Sequence, residues 1–249
     1  MVRRPACGPG TQMPARPAAP PPNAVAVVVG AGGGIGAALL DRLRTEGAFA
    51  RVIALGRHTA PPIDLLDETS IAAATAEIAA AGELRLVIDA TGFLHDETRR
   101  PEKSWRELDP AALAHAFAVN AIGPALLMKH LLPLLPREGR AVFATLSARV
   151  GSIGDNRLGG WYGYRASKAA LNQLLRTAAV ELARKRPEAL CVALHPGTVA
   201  TGLSAPFAGT GRDIQSPAAA AARLLAVLAA LGPEQSGGFF DHHGKPVPW

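Results

Sequence analysis

Tyr164 and Lys168 are the residues in this sequence whose types and spacing point most directly to chemistry. They are four positions apart in a segment with helical periodicity, so their side chains share one helix face. A phenol with an ordinary pKa near 10 is a poor acid at neutral pH, but a nearby ammonium stabilises its anion. The pair therefore predicts proton exchange with a carbonyl or alcohol oxygen.

A glycine-rich turn is the second candidate site. Gly30, Gly34, Ile35 and Gly36 belong to the run GAGGGIG, which follows an apolar segment at 25–29 and begins a helical pattern. Glycines permit a tight turn and let backbone N–H groups and the helix N-terminus approach a pyrophosphate. No Lys-Ser or Lys-Thr pair follows, which disfavours a nucleoside-triphosphate site. The run therefore predicts dinucleotide binding.

The residues after the next apolar segment bear on which dinucleotide is bound. An acidic residue about 20 positions past the glycines typically holds the ribose 2′-hydroxyl of NAD, whereas Arg accommodates a 2′-phosphate. Arg57 stands there, which favours NADP(H), with NAD(H) as the alternative; an isolated Arg can also be a solvated surface charge. Asp64 and Leu65 follow where a loop could return to the adenine edge, or where a turn could begin the next helix.

Short apolar segments alternate with helical patterns from residue 24 onward. Strands are predicted at 25–29, 51–55, 86–90, 141–146, 190–194 and 238–241, and helices at 35–46, 69–81, 110–135, 164–184 and 217–231. Continuous apolar strands between helices indicate a parallel sheet covered on both faces. We therefore predict a single-domain α/β fold over residues 24–249, a doubly wound, Rossmann-like parallel sheet. The Pro-rich residues 1–23 are predicted to be a disordered leader.

Composition and charge disfavour several other classes of protein. The chain has 249 residues, 49% of them apolar, and a net charge of +6 from scattered Arg without a basic stripe, so we expect one core and no nucleic-acid partner. Cys7, Cys191 and His195 have no partners at disulfide or ligand spacing, so no metal site is predicted. No uninterrupted apolar run reaches about 18 residues, so we expect no membrane span and a cytoplasmic location.

Further residues complete a pattern in chain order. They are Asp89-Ala90-Thr91-Gly92 after one strand, Asn120 in a helix, Ser147 after a strand, the Tyr164/Lys168 pair, and Pro196-Gly197-Thr198-Val199 after another strand. Together with the glycine run, they resemble the short-chain dehydrogenase/reductase family, from about residue 24 to residue 249. The segments 147–153 and 159–164 more narrowly resemble its C-factor or Sniffer-like carbonyl reductase branch.

The resemblance implies roles for individual residues. Tyr164 would donate the proton to the carbonyl, and Lys168 would lower its pKa and contact the nicotinamide ribose. Ser147 would orient the substrate oxygen, and Asn120 would hold a water in a proton relay. The implied cofactor-binding residues are Gly30, Gly34, Ile35, Gly36, Arg57, Asp64, Leu65, Ala90, Thr91, Gly92, Tyr164, Lys168, Pro196, Gly197, Val199 and Thr201. Leu203–Arg212 would form a mobile flap over the substrate.

The sequence departs from the family pattern around the serine. Ser147 is followed by Ala148, where many relatives have a second serine, and its interval to Tyr164 is longer than usual. Ser152 lies closer to Tyr164 and is the alternative. We favour Ser147 because it immediately follows the apolar segment 141–146, and ligand groups in such sheets gather at the carboxyl ends of strands. Asp89-Ala90 likewise stands where the family usually has two asparagines.

The resemblance implies hydride transfer between NADP(H) and a small-molecule carbonyl or alcohol. It also implies a homodimer or homotetramer paired through the helices at 110–135 and 164–184. Two other functions stay open: a non-catalytic nucleotide-binding signalling protein, and an epimerase or dehydratase that retains its cofactor. The complete set of four catalytic candidates favours the oxidoreductase. Substrate selectivity is expected from three loops, at 93–105, 148–163 and 203–215.

Overall fold

The central feature of the fold is a parallel β-sheet, seen in a computed structural model that describes residues 19–207 and 214–249. Most of the predicted leader, residues 1–18, and the predicted flap beyond residue 207 lie outside these ranges. The strands of the sheet are β1 (Ala24–Val29), β2 (Arg51–Leu55), β3 (Glu83–Asp89), β4 (Ala141–Leu146), β5 (Ala189–His195) and β8 (Phe239–Asp241). A short separate pair consists of β6 (Thr198–Val199) and β7 (Ile214–Gln215).

Helices cover both faces of this sheet, as the sequence predicted. They are α1 (Gly34–Glu46), α2 (Glu68–Ala81), α3 (Pro110–Phe117), α4 (Gly123–Leu131), α5 (Tyr162–Ala183) and α6 (Pro217–Ala230). Because successive side chains of a strand point to opposite faces, Val27 packs in one core with Leu127 and Leu171, while Val28 packs in the other with Leu39. The doubly wound fold is thereby confirmed.

The strand order reverses beside β1, and this locates the binding crevice. The order across the sheet is β2-β1-β3-β4-β5-β8, with every pair parallel. The chain leaves β1 toward β2 on one side and returns to β3 on the other, so a crevice opens at their carboxyl ends. The glycine run follows β1 and the segment from Ala90 follows β3, which brings two predicted binding segments together.

The predicted helix at 110–135 is present and contains a change of helix type around Asn120. Residues Ala118–Ile122 form a π-helical turn, in which the Gly123 N–H donates to the Ala118 carbonyl. Single π turns inside α-helices often occur at functional sites.

The stretch Pro110–Leu134 is long and apolar enough to cross a membrane by length and composition, with a mean hydropathy of 1.6. Such a composition also suits a core helix, and Leu127 within it is fully buried.

Candidate active site

Tyr164 and Lys168 lie in the first two turns of α5, where the helix passes the end of β4. Lys168 is 2% exposed, and its Nζ donates a hydrogen bond of 2.8 Å to the Leu146 carbonyl. Burial lowers the pKa of Lys168 to about 8, against the opposing effect of the Asp89 charge. Burial also raises the pKa of Tyr164 to about 12, in contrast to the lowering by Lys168 that the sequence predicted. The phenol is therefore in its proton-donating form at neutral pH.

Asn120 ties the helix pair α3 and α4 to the segment that follows β3. Its Oδ1 accepts from the Phe93 N–H at 2.7 Å, and its Nδ2 donates to the Phe93 carbonyl at 2.8 Å and to Ser167 Oγ at 3.1 Å. A β-carbon placed on Gly92 would lie 3.7 Å from Lys168 Nζ and 3.8 Å from Asn120 Oδ1. The structure thus brings Asn120, Lys168 and Gly92 to one place. The amide of Asn120 supplies both the acceptor and the donor that its two bonds to Phe93 require.

Asp89 shapes the turn after β3 and is an anion facing Lys168. The carboxylate is fully buried, with Oδ1 accepting from the Thr91 hydroxyl at 2.6 Å and Oδ2 from the Thr145 hydroxyl at 2.6 Å. Oδ1 also accepts from the Thr91 N–H. These bonds fix the backbone at Ala90 and Thr91, both predicted cofactor contacts. The sequence analysis gave Asp89 no role, and the available signal was an acidic residue at the end of an otherwise apolar strand.

Ser147 reaches the site, whereas Ser152 does not. Ser147 lines the cavity beside Tyr164, and its hydroxyl donates to Asn172 Oδ1 at 2.7 Å. Ser152 is buried away from the cavity lining, where its Oγ accepts from the Asp155 N–H. Asn172 is 2% exposed, and its Nδ2 has no hydrogen-bond partner in the described part of the chain. Asn172 was not singled out from the sequence, because the contact joins residues of a strand end and a distant helix turn.

A cavity of about 310 Å³ opens beside Tyr164 at the carboxyl ends of β4 and β5, within the size range of small-molecule sites. Its lining includes seven of the predicted site residues: Ile35, Ser147, Tyr164, Pro196, Gly197, Val199 and Thr201. It also includes Leu94, Ala148, Arg149, Val150, Trp161, His195, Thr198, Leu203, Ser204 and Phe207. Burial lowers the pKa of His195 to about 4, so its imidazole is neutral at physiological pH.

The glycine run forms a tight turn with an open helix N-terminus. Gly30 has φ of +80°, and a β-carbon there would lie 3.0 Å from the Ala90 carbonyl, which explains the need for glycine. A β-carbon on Gly36 would overlap the Gly30 carbonyl at 2.1 Å. The N-cap of α1 is Gly33, without a side-chain cap, and nothing lies within 4 Å of a β-carbon placed on Gly32. The first N–H groups of α1 are therefore available to an anion.

Of the remaining predicted cofactor residues, some lie beside this turn and others do not. The Gly30 N–H donates to the Leu55 carbonyl at 2.8 Å, so Arg57, two positions later and exposed, stands beside the glycine turn. Thr201 approaches from the other side, since a β-carbon on Gly34 would lie 2.8 Å from its Cγ2. Leu65 packs under the first residue of α4, and Asp64 is exposed, accepting the Leu66 N–H. Neither Asp64 nor Leu65 lines the cavity.

Comparison with known proteins agrees with this geometry. A family model described as Enoyl-(Acyl carrier protein) reductase matches residues 29–227. The chain belongs to the short-chain dehydrogenase/reductase family of NAD(P)-dependent oxidoreductases. The family predicted from the sequence is thereby confirmed. Of the four catalytic candidates, Ser147 and Tyr164 line the cavity, whereas Asn120 and Lys168 do not.

Individual relatives within the short-chain dehydrogenase/reductase family extend this result. The C-signal of Myxococcus xanthus is 40% identical over 145 residues, which are 57% of this chain and 82% of that protein. The 1-hydroxy-2-glutathionyl-2-methyl-3-butene dehydrogenase of Rhodococcus sp. (strain AD45) is 32% identical, covering 90% of this chain and 98% of that protein. The NADPH-bound carbonyl reductase from chicken fatty liver shares the fold, with a TM-score of 0.80 at 24% identity, covering 92% of this chain and 94% of that chain.

Proposed function

We propose that this protein is an NADP(H)-dependent carbonyl reductase, which transfers hydride between the nicotinamide and a small-molecule carbonyl or alcohol. The observation that carries the proposal is the placement of Tyr164 on a cavity wall, with the buried Lys168 one helix turn farther along α5. The chicken carbonyl reductase holds NADPH, and the Rhodococcus relative is a dehydrogenase, which supports the same chemistry here.

The cofactor fits the residues present. The uncapped N-terminus of α1 and the open space at Gly32 suit a pyrophosphate. Exposed Arg57 beside that turn suits a 2′-phosphate. Pro196, Gly197 and Val199 would border the nicotinamide. Further contacts are proposed along the adenosine and ribose side of the crevice, from Asp64, Leu65, Ala90, Thr91 and Gly92, and from Thr201 at the cavity. When bound, NADPH supplies the hydride.

The protein's own groups would then manage the proton. In reduction, Tyr164 donates its phenolic proton to the carbonyl oxygen as the carbon is reduced, so that the product is an alcohol. The Lys168 ammonium stabilises the phenolate that remains, because opposite charges attract strongly in a buried site. Asn120 holds the π turn and the segment after β3 against α5, and it would position a water that returns a proton to this pair.

Ser147 would hold the substrate oxygen, and Asn172 bears on how it does so. A hydroxyl has a single proton, and in the structure that proton goes to Asn172 Oδ1. The two ends of an amide have nearly the same shape, so the reversed orientation would place Nδ2 against Ser147 Oγ. Ser147 would then accept from Asn172 and donate into the cavity, toward the carbonyl oxygen.

A carbonyl panel with NADPH tests the proposed function. We expect wild-type protein to consume NADPH in proportion to alcohol formed, and Tyr164→Phe to lower kcat/KM at least ~10²-fold with NADPH binding intact. Tyr162→Phe is the matched control, since Tyr162 is on the same helix but does not line the cavity. NADPH binding without turnover of any carbonyl would instead support the signalling protein. Product formation without net NADPH consumption would support an epimerase or dehydratase.

We further propose that the protein acts on its substrate as a homodimer or homotetramer in the cytoplasm, with no nucleic-acid or membrane partner. Apolar side chains on the expected pairing helices support an oligomer: Ile122 is 53% exposed, Val180 48% and Leu174 39%. Burying such side chains is favourable. A monomeric mass by light scattering would overturn the oligomer.

A further inference from the structure

Three aromatic rings, of Trp161, Tyr164 and Phe207, form one wall of the cavity, and the His95 ring packs against the last of them. The Trp161 ring meets Tyr164 edge to face with centroids 6.1 Å apart, and it meets Phe207 in the same way at 5.1 Å. Phe207 continues the series to His95 at 5.4 Å. His95 Nε2 lies 3.3 Å from the Gly202 carbonyl, which joins the segment after β3 to the segment after β6. The wall therefore begins at the proton-donating phenol and ends at a contact between two loops.

Trp161 is held in this wall by an unusual backbone. Its φ is +53°, and it is the one non-glycine residue with positive φ in the described ranges. Gly159 and Gly160 precede it with φ of +64° and +65°. Residues other than Gly, Asn and Asp rarely adopt this region of backbone conformation. Such strain persists only where contacts with the surrounding structure hold it in place. The segment thus turns left-handed over three residues to bring an indole beside Tyr164.

Side chains and backbone from outside the segment fix that conformation. The backbone N–H of Trp161 donates to the Glu102 backbone carbonyl at 2.5 Å, and the Glu102 carboxylate accepts from the backbone N–H of Gly163 at 3.1 Å. Arg165 Nε donates to the Gly160 carbonyl at 2.9 Å, and its Nη2 donates to the Gly159 carbonyl at 3.1 Å. The indole is consequently pre-organised before any substrate arrives, which lowers the entropic cost of using it as a contact surface.

The cavity around the indole offers apolar surface and few free polar groups. The apolar side chains of Leu94, Val150, Leu203 and Phe207 also line this cavity. Two polar groups of the lining already have partners: Arg149 Nε binds Asp155 at 2.5 Å, and the Ser204 hydroxyl binds the Val199 carbonyl. A polar substituent placed against these apolar side chains would need a partner to offset its loss of water, whereas an apolar ring would gain contact area.

We propose that Trp161 is a specificity-determining residue that selects carbonyls carrying a flat, aromatic substituent, through the contact of that ring with the Trp161 indole and Phe207. This inference rests on the proposed carbonyl reductase function. Aromatic rings attract one another in edge-to-face and offset geometries beyond what buried area provides, so a planar ring gains more here than a puckered ring of similar size. The carbonyl attached to that ring then lies against Tyr164.

Three aldehydes of graded shape test the inference with the full-length protein and NADPH. Benzaldehyde carries a flat ring, cyclohexanecarbaldehyde a puckered ring of similar size, and propanal no ring. We expect wild type to prefer benzaldehyde over cyclohexanecarbaldehyde about tenfold in kcat/KM. Trp161→Ala should reduce that ratio to within about twofold of unity while changing propanal reduction less than about threefold. Leu158→Ala, at an 86% exposed position in the same loop, should leave the ratio unchanged.

Two further measurements guard against a misfolded variant or a missing activity. Phe207→Leu alters the wall while leaving the sequence of the strained segment 159–161 unchanged, and it should also lower the ratio. Binding of benzyl alcohol to the NADPH complex should quench tryptophan fluorescence in wild type more than cyclohexylmethanol does, and Trp161→Phe should remove that difference. An unchanged ratio in both Trp161→Ala and Phe207→Leu, or wild-type preference for cyclohexanecarbaldehyde, overturns the inference alone. Absence of NADPH consumption with every aldehyde overturns the proposed function, and the quenching result then decides whether Trp161 selects aromatic ligands.

Discussion

Lys168→Met should stabilise the protein while abolishing its activity. The Lys168 ammonium is buried at 2% exposure, and burial lowers its pKa from 10.5 to about 8. That fall corresponds to ~3 kcal/mol of cost for keeping the charge inside the folded protein. Methionine fills a similar volume without the charge, and it loses the hydrogen bond to the Leu146 carbonyl, which costs about 1 kcal/mol. The expected net gain at neutral pH is ~2 kcal/mol in the free energy of unfolding.

The pH dependence of this gain identifies its cause. Because the pKa of Lys168 is lower in the folded state than in the unfolded chain, the unfolded chain binds more protons between pH 8 and 10.5. The free energy of unfolding of the wild type therefore rises between pH 8 and 10.5, as Lys168 loses its proton. Below pH 8 the full cost of the buried charge applies. The advantage of Lys168→Met should accordingly be ~2 kcal/mol at neutral pH and fall to near zero at about pH 10.

Urea unfolding followed by circular dichroism, without cofactor, measures both values. Lys185→Met is the matched control, since Lys185 is exposed near the end of α5 and its removal should change stability little. A variant no more stable than wild type at neutral pH would refute the reasoning, as would an advantage that stays the same at both pH values. Reductase activity of Lys168→Met near the wild-type rate would refute the proposed role of the ammonium.

Three further predictions concern activity. NADPH should be preferred over NADH in kcat/KM, and Arg57→Asp should shrink or reverse that preference, because it replaces the phosphate partner with a like charge; equal use of both cofactors by wild type would contradict it. Ser147→Ala should lower kcat more than it raises KM, and Ser152→Ala should do less, since Ser147 lines the cavity and Ser152 does not; a crippled Ser152 variant beside a normal Ser147 variant would reverse the assignment. For reduction, kcat/KM should fall above about pH 8, roughly tenfold per pH unit, as Lys168 of the free enzyme loses its proton. A kcat/KM that stays flat up to about pH 10 would exclude a requirement for protonated Lys168.

Local sequence patterns determined the architecture of this protein. Apolar strands alternating with amphipathic helices define a parallel sheet with two covered faces, because strand and helix periodicities are properties of consecutive residues. The glycine run after β1 and the four-residue spacing of Tyr164 and Lys168 are likewise local, and both lie where the sequence predicted. The predicted helix at 110–135 is present as one helical stretch, but its π turn at Asn120 was not predicted, since Asn120 forms bonds to Phe93 and Ser167 from other segments.

Only the tertiary structure decided which polar groups meet and in what environment. The pairs Asp89 with Thr145 and Ser147 with Asn172 join residues from different elements, and no spacing rule connects them. Burial raises the pKa of Tyr164, although the sequence alone predicted a lowering by Lys168. The strained backbone of Trp161 also depends on distant hydrogen bonds. Desolvation and long-range hydrogen bonding depend on how the segments pack together, and that packing is a property of the whole fold that residue spacing does not encode.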